Sequence, residues 1–206
     1  DNDVLRRGKP TVHVQFGEAQ ALLAGDALQA FAFELLTPDD NTLPAAMQAT
    51  LCRLLARAAG SAGMAGGQAI DLASVGVALT EDQLRQMHRL KTGALLQGSV
   101  LMGAVCGHAA PAAYQALSEY GAAMGLAFQV VDDILDVVAD SATLGKTAGK
   151  DAAADKPTYV SLLGLERAQT HAQELLQDAH AALARSGLPD TRALAALADM
   201  VVRRSY

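Results

Sequence analysis

Three observations predict an all-α chain. Ala and Leu, which favour helix, dominate a composition that is 51% hydrophobic but only 4% aromatic. Apolar residues recur at helical spacing over long segments and nowhere alternate as they would along a half-buried strand. Helix-ending punctuation separates those segments: "TPDDN", Gly60, Gly107 and "SGLP". The 206 residues suffice for one domain with a sizeable core, so 1–206 reads as a single all-α domain of long helices packed together.

Residues 1–15 are polar and charged, hold Gly8 and Pro10, and read as a loop. Phe16 to Leu36 is Ala/Leu-rich and helical, and Thr37–Asn41 breaks it. A second helix covers about Pro44–Ala59, and a short one lies within "GGQAIDLAS". Thr80 and Gln83 have the spacing of a capping box, opening a helix that runs to about Cys106. Pro111 suits the first turn of the next helix, where its missing N–H costs nothing. Asp140–Pro157 is a long loop with three lysines, a length typical of functional or mobile segments. Helices over about Thr158–Ser186 and Pro189–Arg204 close the chain.

Charge and cysteine usage exclude several classes. A net charge of −6 gives no general electrostatic basis for nucleic-acid binding. The longest apolar stretch, "GALLQGSVLMGAVCG", is interrupted and too short to span a bilayer. Cys52 and Cys106 stand alone without metal spacing and suit a reducing compartment, so a cytoplasmic location is expected. No signal peptide is visible. The chain opens on "DNDVLRRG", without Met and inside what reads as a functional loop, so further residues upstream are expected.

The stretch "FQVVDDILDVVAD" poses a physical problem. Gln129, Asp132, Asp133, Asp136 and Asp140 fall on one narrow helical stripe. Like charges one turn apart repel, and the C-terminal end of a helix disfavours anions. Either the stripe is a solvated polar face or a cation offsets the repulsion. With no His or Cys beside it, a thiolate or imidazole zinc site is disfavoured. Carboxylates alone suit a hard cation such as Mg²⁺, which uses one or two of them plus substrate phosphate and water. Gly125, Ala122, Gly121 and Ser118 continue the stripe backwards and would leave room for a ligand.

Cationic groups form three further features. Arg6, Arg7 and Lys9 in "LRRGKPT" could hold phosphate, or form an ordinary charged loop. Lys91 falls on the face of Leu84, Met87, His88, Ala94, Leu95, Gly98, Leu101 and Met102. It should therefore have an anion nearby or snorkel to solvent. His88 on that face reads as packed rather than ligating. Lys146, Lys150 and Lys156 follow the acid stripe, either as solvated charges or as a cationic lid.

Together, "LRRGKPTVHVQFGEAQALLAGDALQAFAFELL", "GMAGGQAIDL", "KTGAL", "GLAFQVVDDILDV" and "LGKTAGKD…KPTYV" occur in the order seen in trans-prenyl diphosphate synthases. The chain most resembles the bacterial farnesyl diphosphate synthase type. The resemblance covers essentially the whole chain and implies a homodimeric isoprenoid synthase fold with helices around a central cavity. It also implies two facing aspartate motifs that bind Mg²⁺. Asp132, Asp133 and Asp136 match the second motif, and Asp1 matches only the tail of the first. Arg6 matches a contact to the allylic diphosphate and Arg7 one to isopentenyl diphosphate. Lys91, Thr92, Gln129 and Lys146 match allylic-diphosphate contacts, with Lys91, Thr92 and Lys146 in catalytic roles. Lys156 matches a weaker lid lysine, and Arg204 a basic residue near the isopentenyl site. The implied reaction condenses dimethylallyl or geranyl diphosphate with isopentenyl diphosphate, giving farnesyl diphosphate and pyrophosphate. A geranyl or geranylgeranyl product, or a non-catalytic helical partner subunit, is the alternative. The resemblance places neither nucleic acid nor membrane among the partners. A terpene cyclase of the same fold would usually replace the second motif with a mixed Asn/Ser/Glu set and would not need the "LRRG" arginines. Lacking the head of the first motif, the polypeptide as it stands is expected to be inactive.

Overall fold

The computed structural model describes residues 2–138 and 157–204. Asp1, Lys146, Lys150, Lys156 and the loop from Asp140 up to Pro157 lie outside the described residues. Near the start, the expected loop contains a small hairpin, β1 (Leu5–Arg6) antiparallel to β2 (Lys9–Pro10). Arg7 and Gly8 take φ of 51° and 71°, as a two-residue hairpin turn requires when its twist must match that of its strands. Arg6 therefore sits on a strand and Arg7 at the tip, both exposed. The Thr11 hydroxyl closes the unit by donating to the Asp3 carbonyl at 2.7 Å.

A short helix α1 (Val12–Phe16) lies in the segment expected to be loop, and after Gly17 the expected helix to Leu36 follows as α2 (Glu18–Leu36). Next come α3 (Ala45–Ala59), α4 (Met64–Ala73) and α5 (Glu81–His88). The Thr80–Gln83 capping box opens α5 as its spacing predicts. The expected run to Cys106 is interrupted by a π-helical turn, Arg89–Gly93, before α6 (Ala94–Cys106). A π turn inserts a residue and rotates everything beyond it. The buried face thus passes from Leu84, Met87 and His88 to Gly93, Gly98 and Ala104. Ala94, Leu95, Leu101 and Met102 are only partly buried. Helix α7 (Pro111–Val138) begins at the predicted proline. The last expected pair of helices is three: α8 (Tyr159–Leu163), α9 (Leu165–Arg185) and α10 (Arg192–Arg203), with Gly164 at φ 81° turning the chain between α8 and α9.

Helix α7 is the hub, packed against α6, the π turn, α9 and α10. Leu117, Tyr120, Met124, Ala127, Val130, Val131 and Ile134 from α7 meet Leu175, Leu176, Ala179 and Leu183 from α9 in the core. The Tyr120 hydroxyl donates to the Leu194 carbonyl at 2.8 Å, tying α10 to α7.

One sequence expectation is corrected by this packing. The small residues behind the acid stripe do not all leave room for a ligand. A Cβ added at Gly125 would lie 2.5 Å from the Gly93 Cα, and one at Gly121 would lie 2.9 Å from the Gln97 Cα. These glycines let α7 approach the π turn and α6 backbone to backbone. Gly67 does the same for α4, where a Cβ would overlap the Lys91 backbone.

Gly125→Ala should therefore lower stability by about 1–3 kcal/mol through overpacking. Gly103→Ala, where an added Cβ meets nothing within 4 Å, should be neutral or stabilising by about 0.4–1 kcal/mol. Urea unfolding of the two variants checks both, and equal effects would remove the close-approach argument.

Candidate functional site

The π turn presents two adjacent polar side chains and anchors them in different directions. Lys91 Nζ donates to Asp71 Oδ2 at 2.8 Å, reaching from the π turn to α4. The Lys91 side chain is 27% exposed and that of Asp71 only 6%. The anion that a partly buried lysine requires is thus present, and sequence reasoning did not name it. Thr92 Oγ1 donates to Gln129 Oε1 at 3.0 Å, joining the π turn to α7. Gln129 Nε2 in turn donates to Asp133 Oδ1 at 3.3 Å.

The acid stripe is not a solvated face, because Asp133 and Asp136 are both buried. Asp133 is bound on both oxygens: its Oδ2 accepts from the Tyr159 backbone N–H at 2.8 Å. That amide belongs to the first residue of α8, where unpaired N–H groups and the helix dipole favour an anion. Asp133 therefore fastens α8 to α7, and the remaining described acids of the stripe are Asp132 and Asp136, one turn apart. Asp132 is the more accessible, with a side chain 38% exposed. Arg204, just beyond α10, lies against it: Nη2 is 3.5 Å from Asp132 Oδ1 and donates to the Phe128 carbonyl at 2.9 Å. Its guanidinium also covers the Phe128 ring at 3.9 Å. Burial lowers the Arg204 pKa, opposed by the Asp132 charge.

The donor chemistry fits a hard cation. Asp132 and Asp136 offer oxygen ligands, and the described part of the cluster has no thiolate or imidazole facing them. Among the described residues no three acid, imidazole or thiolate side chains converge on one point. An ion here would thus take its remaining oxygens from water or a bound phosphate, the usual habit of Mg²⁺. Lys91, Thr92, Gln129, Asp133 and, through Asp132, Arg204 are brought to the π-turn side and C-terminal half of α7. Arg6 and Arg7 stand outside this hydrogen-bonded network on their own hairpin.

His88 is packed, as expected, with its ring stacked on Tyr159 at 5.7 Å between centroids. Both ring nitrogens are buried without a hydrogen-bond partner. Asp133 Oδ2 lies 3.8 Å from Nε2, too far for a hydrogen bond. Desolvation, aided by the nearby Lys91 charge, pushes the His88 pKa down to about 3, so the ring is neutral near pH 7 and forms no ion pair.

Residues 1–188 match the model of the polyprenyl synthetase family. This chain is a polyprenyl synthetase family member. It is 55% identical over 191 residues to a probable farnesyl diphosphate synthase of Bradyrhizobium diazoefficiens, a match covering 91% of this chain and 57% of the relative. It is 49% identical to the farnesyl diphosphate synthase of Escherichia coli, over 100% of this chain and 70% of the relative. The chain thus spans little more than half the length of the first relative. Its fold matches a Helicobacter pylori geranyltransferase structure complexed with magnesium and isoprenyl diphosphate. The TM-score is 0.84 at 36% identity, covering 98% of this chain and 65% of that one. This is the all-α fold of the isoprenyl diphosphate synthases. Among the described residues no helix is long and apolar enough to cross a membrane.

In this polyprenyl synthetase, His88 makes stability depend on pH. Its folded pKa of about 3 lies below the ordinary 6.5, so between those values the unfolded chain binds a proton that the folded chain does not. Stability should fall as pH drops through that window, by up to about 1.4 kcal/mol per pH unit from this group. His88→Phe should melt with a shallower dependence between pH 7 and pH 5 than the unaltered chain. Parallel curves for the two would show that His88 does not contribute.

Proposed function

We propose that the protein is a prenyltransferase that condenses dimethylallyl diphosphate, and then the geranyl diphosphate so formed, with isopentenyl diphosphate, ending in farnesyl diphosphate and releasing one pyrophosphate per condensation. The observation that carries the reading is the hydrogen-bond chain from Thr92, next to Lys91 on the π turn, through Gln129 to Asp133 in the acid stripe of α7. Cationic and hydroxyl donors there adjoin oxygen ligands for a metal. Relatives named farnesyl diphosphate synthase support the product assignment.

In this reading Lys91, Thr92 and Gln129 hold the allylic diphosphate and bear the charge that builds on the leaving pyrophosphate as the allylic C–O bond breaks. The isopentenyl double bond then attacks the cation and a proton is lost. Lys146 and Lys156 add charge to the pyrophosphate, and Arg6 and Arg7 contact the allylic and isopentenyl diphosphates respectively. Asp132 and Asp136 supply carboxylates for Mg²⁺, which contributes Lewis-acid stabilisation of the diphosphate when bound. Asp1 would contribute from the facing motif. Asp133 completes this carboxylate set, while its oxygens also accept from Gln129 and from the Tyr159 backbone N–H and so hold α8 to α7. Arg204 is the basic residue near the isopentenyl site, and its guanidinium lies 3.5 Å from Asp132.

The protein also works as a homodimer in this reading, in the cytoplasm. Helix α2 supports it: none of its residues is buried, and Leu22, Leu23, Leu28 and Leu35 are each more than 60% exposed. Exposed apolar surface on that scale marks an interface.

Full-length protein incubated with geranyl diphosphate, isopentenyl diphosphate and Mg²⁺ should yield a fifteen-carbon product by chromatography, and no chain elongation would reject the function. Asp132→Ala should lower kcat by at least about 10²-fold with an almost unchanged melting temperature. A large fall in melting temperature would instead make Asp132 structural. Leu23→Glu with Leu28→Glu should convert the dimer to monomer in light scattering; an unchanged mass would place the interface elsewhere.

A further inference from the structure

We infer that Asp71 is a positioning residue for Lys91, fixing its ammonium where an incoming diphosphate meets it. This rests on the reading of Lys91 as a diphosphate contact. Gly67 and Asp71 are one turn apart on α4 and face the π turn together. Gly67 brings the two backbones into contact. One turn later the short Asp71 side chain meets Lys91 Nζ at 2.8 Å. The pair is asymmetric: the carboxylate is withdrawn from solvent, while the lysine is four times as exposed at 27% against 6%. The anion sits behind and the cation in front. One of the three ammonium donors points back to Asp71, and two remain for a ligand.

Neither stability nor anion attraction accounts for this arrangement. A buried ion pair is rarely more stabilising than an apolar pair of the same volume. A carboxylate behind a phosphate site also weakens the pull on the phosphate. What the pair supplies is order. A lysine side chain carries rotamer entropy of about 2 kcal/mol, and misplacing a catalytic group by about 1 Å can cost 10²-fold in rate. Thr92, the next residue, is tied the other way to Gln129 at 3.0 Å. The π turn is thus clamped from α4 and from α7, with Lys91 and Thr92 held side by side.

The test is a double-mutant cycle in the full-length enzyme, using Asp71→Ala, Lys91→Ala and the combination, with geranyl diphosphate, isopentenyl diphosphate and Mg²⁺. Asp71→Ala should lower kcat by about tenfold or more and raise KM for geranyl diphosphate by less. If Asp71 acts through Lys91, the double variant should be no slower than Lys91→Ala alone. Asp71→Asn keeps an oxygen for the ammonium and the shape of the buried side chain. It should melt like the unaltered enzyme and recover part of the lost turnover, and it takes the place of the alanine variant in the cycle if that fails to fold. Multiplicative losses, with Lys91→Ala itself impaired, would overturn the role of Asp71 and leave the Lys91 assignment standing. An Asp71→Asn enzyme no better than Asp71→Ala would do the same. Unimpaired Lys91→Ala would reject Lys91 as a diphosphate contact, and the role of Asp71 with it.

Discussion

A carboxylate taken out of water must be met by donors, because an unpaired buried charge costs several kcal/mol. Among the described residues three carboxylates are buried, Asp71, Asp133 and Asp136. Much of the arrangement around α7 follows from satisfying two of them. Asp71 draws Lys91 towards α4. Asp133 draws the N-terminus of α8 and the Gln129 amide towards itself. Each carboxylate thereby connects two elements that are distant in sequence, and the connections converge on the π turn.

Close approach makes those connections possible. Gly67 and Gly125 allow α4 and α7 to touch the π turn without an intervening side chain. The turn is consequently held between two helices while two of its own side chains, Lys91 and Thr92, stay polar and partly accessible. A continuous i→i−4 helix over these residues would have carried Lys91 on a different heading relative to α6. The π insertion decouples the direction of Lys91 and Thr92 from the buried face of α6, so packing and chemistry need not compete for the same stripe.

The same economy appears at the chain's far end. Arg204 lies just past α10, yet it contacts Asp132, the Phe128 carbonyl and the Phe128 ring together. Its flat cation suits a position between a carboxylate and an aromatic face. The apolar seam of α10, held by the Tyr120 hydroxyl bond to Leu194, brings it there. Ala198 and Val202 on α10 enter the same core as α7 and α9.

Local sequence signals determined the helical class, the Thr80–Gln83 cap, the Pro111 start and the family-bearing motifs, because each depends on residues a few positions apart. The need of Lys91 for an anion was also legible, since burial of a charge follows from periodicity alone. Which anion was not, because Asp71 is twenty positions away and reaches Lys91 only through the α4–π-turn contact. Periodicity could not reveal the π turn, since one inserted residue alters phase without altering composition. The break at Gly164 was missed because a single glycine is tolerated in a helix and only the neighbouring packing shows whether it turns the chain. The stripe of four acids read as one site from its spacing. Tertiary structure decided the partners of its described members: Asp133 accepts from the first amide of α8 and Asp132 meets Arg204, because the donors each carboxylate finds depend on which helices pack beside it.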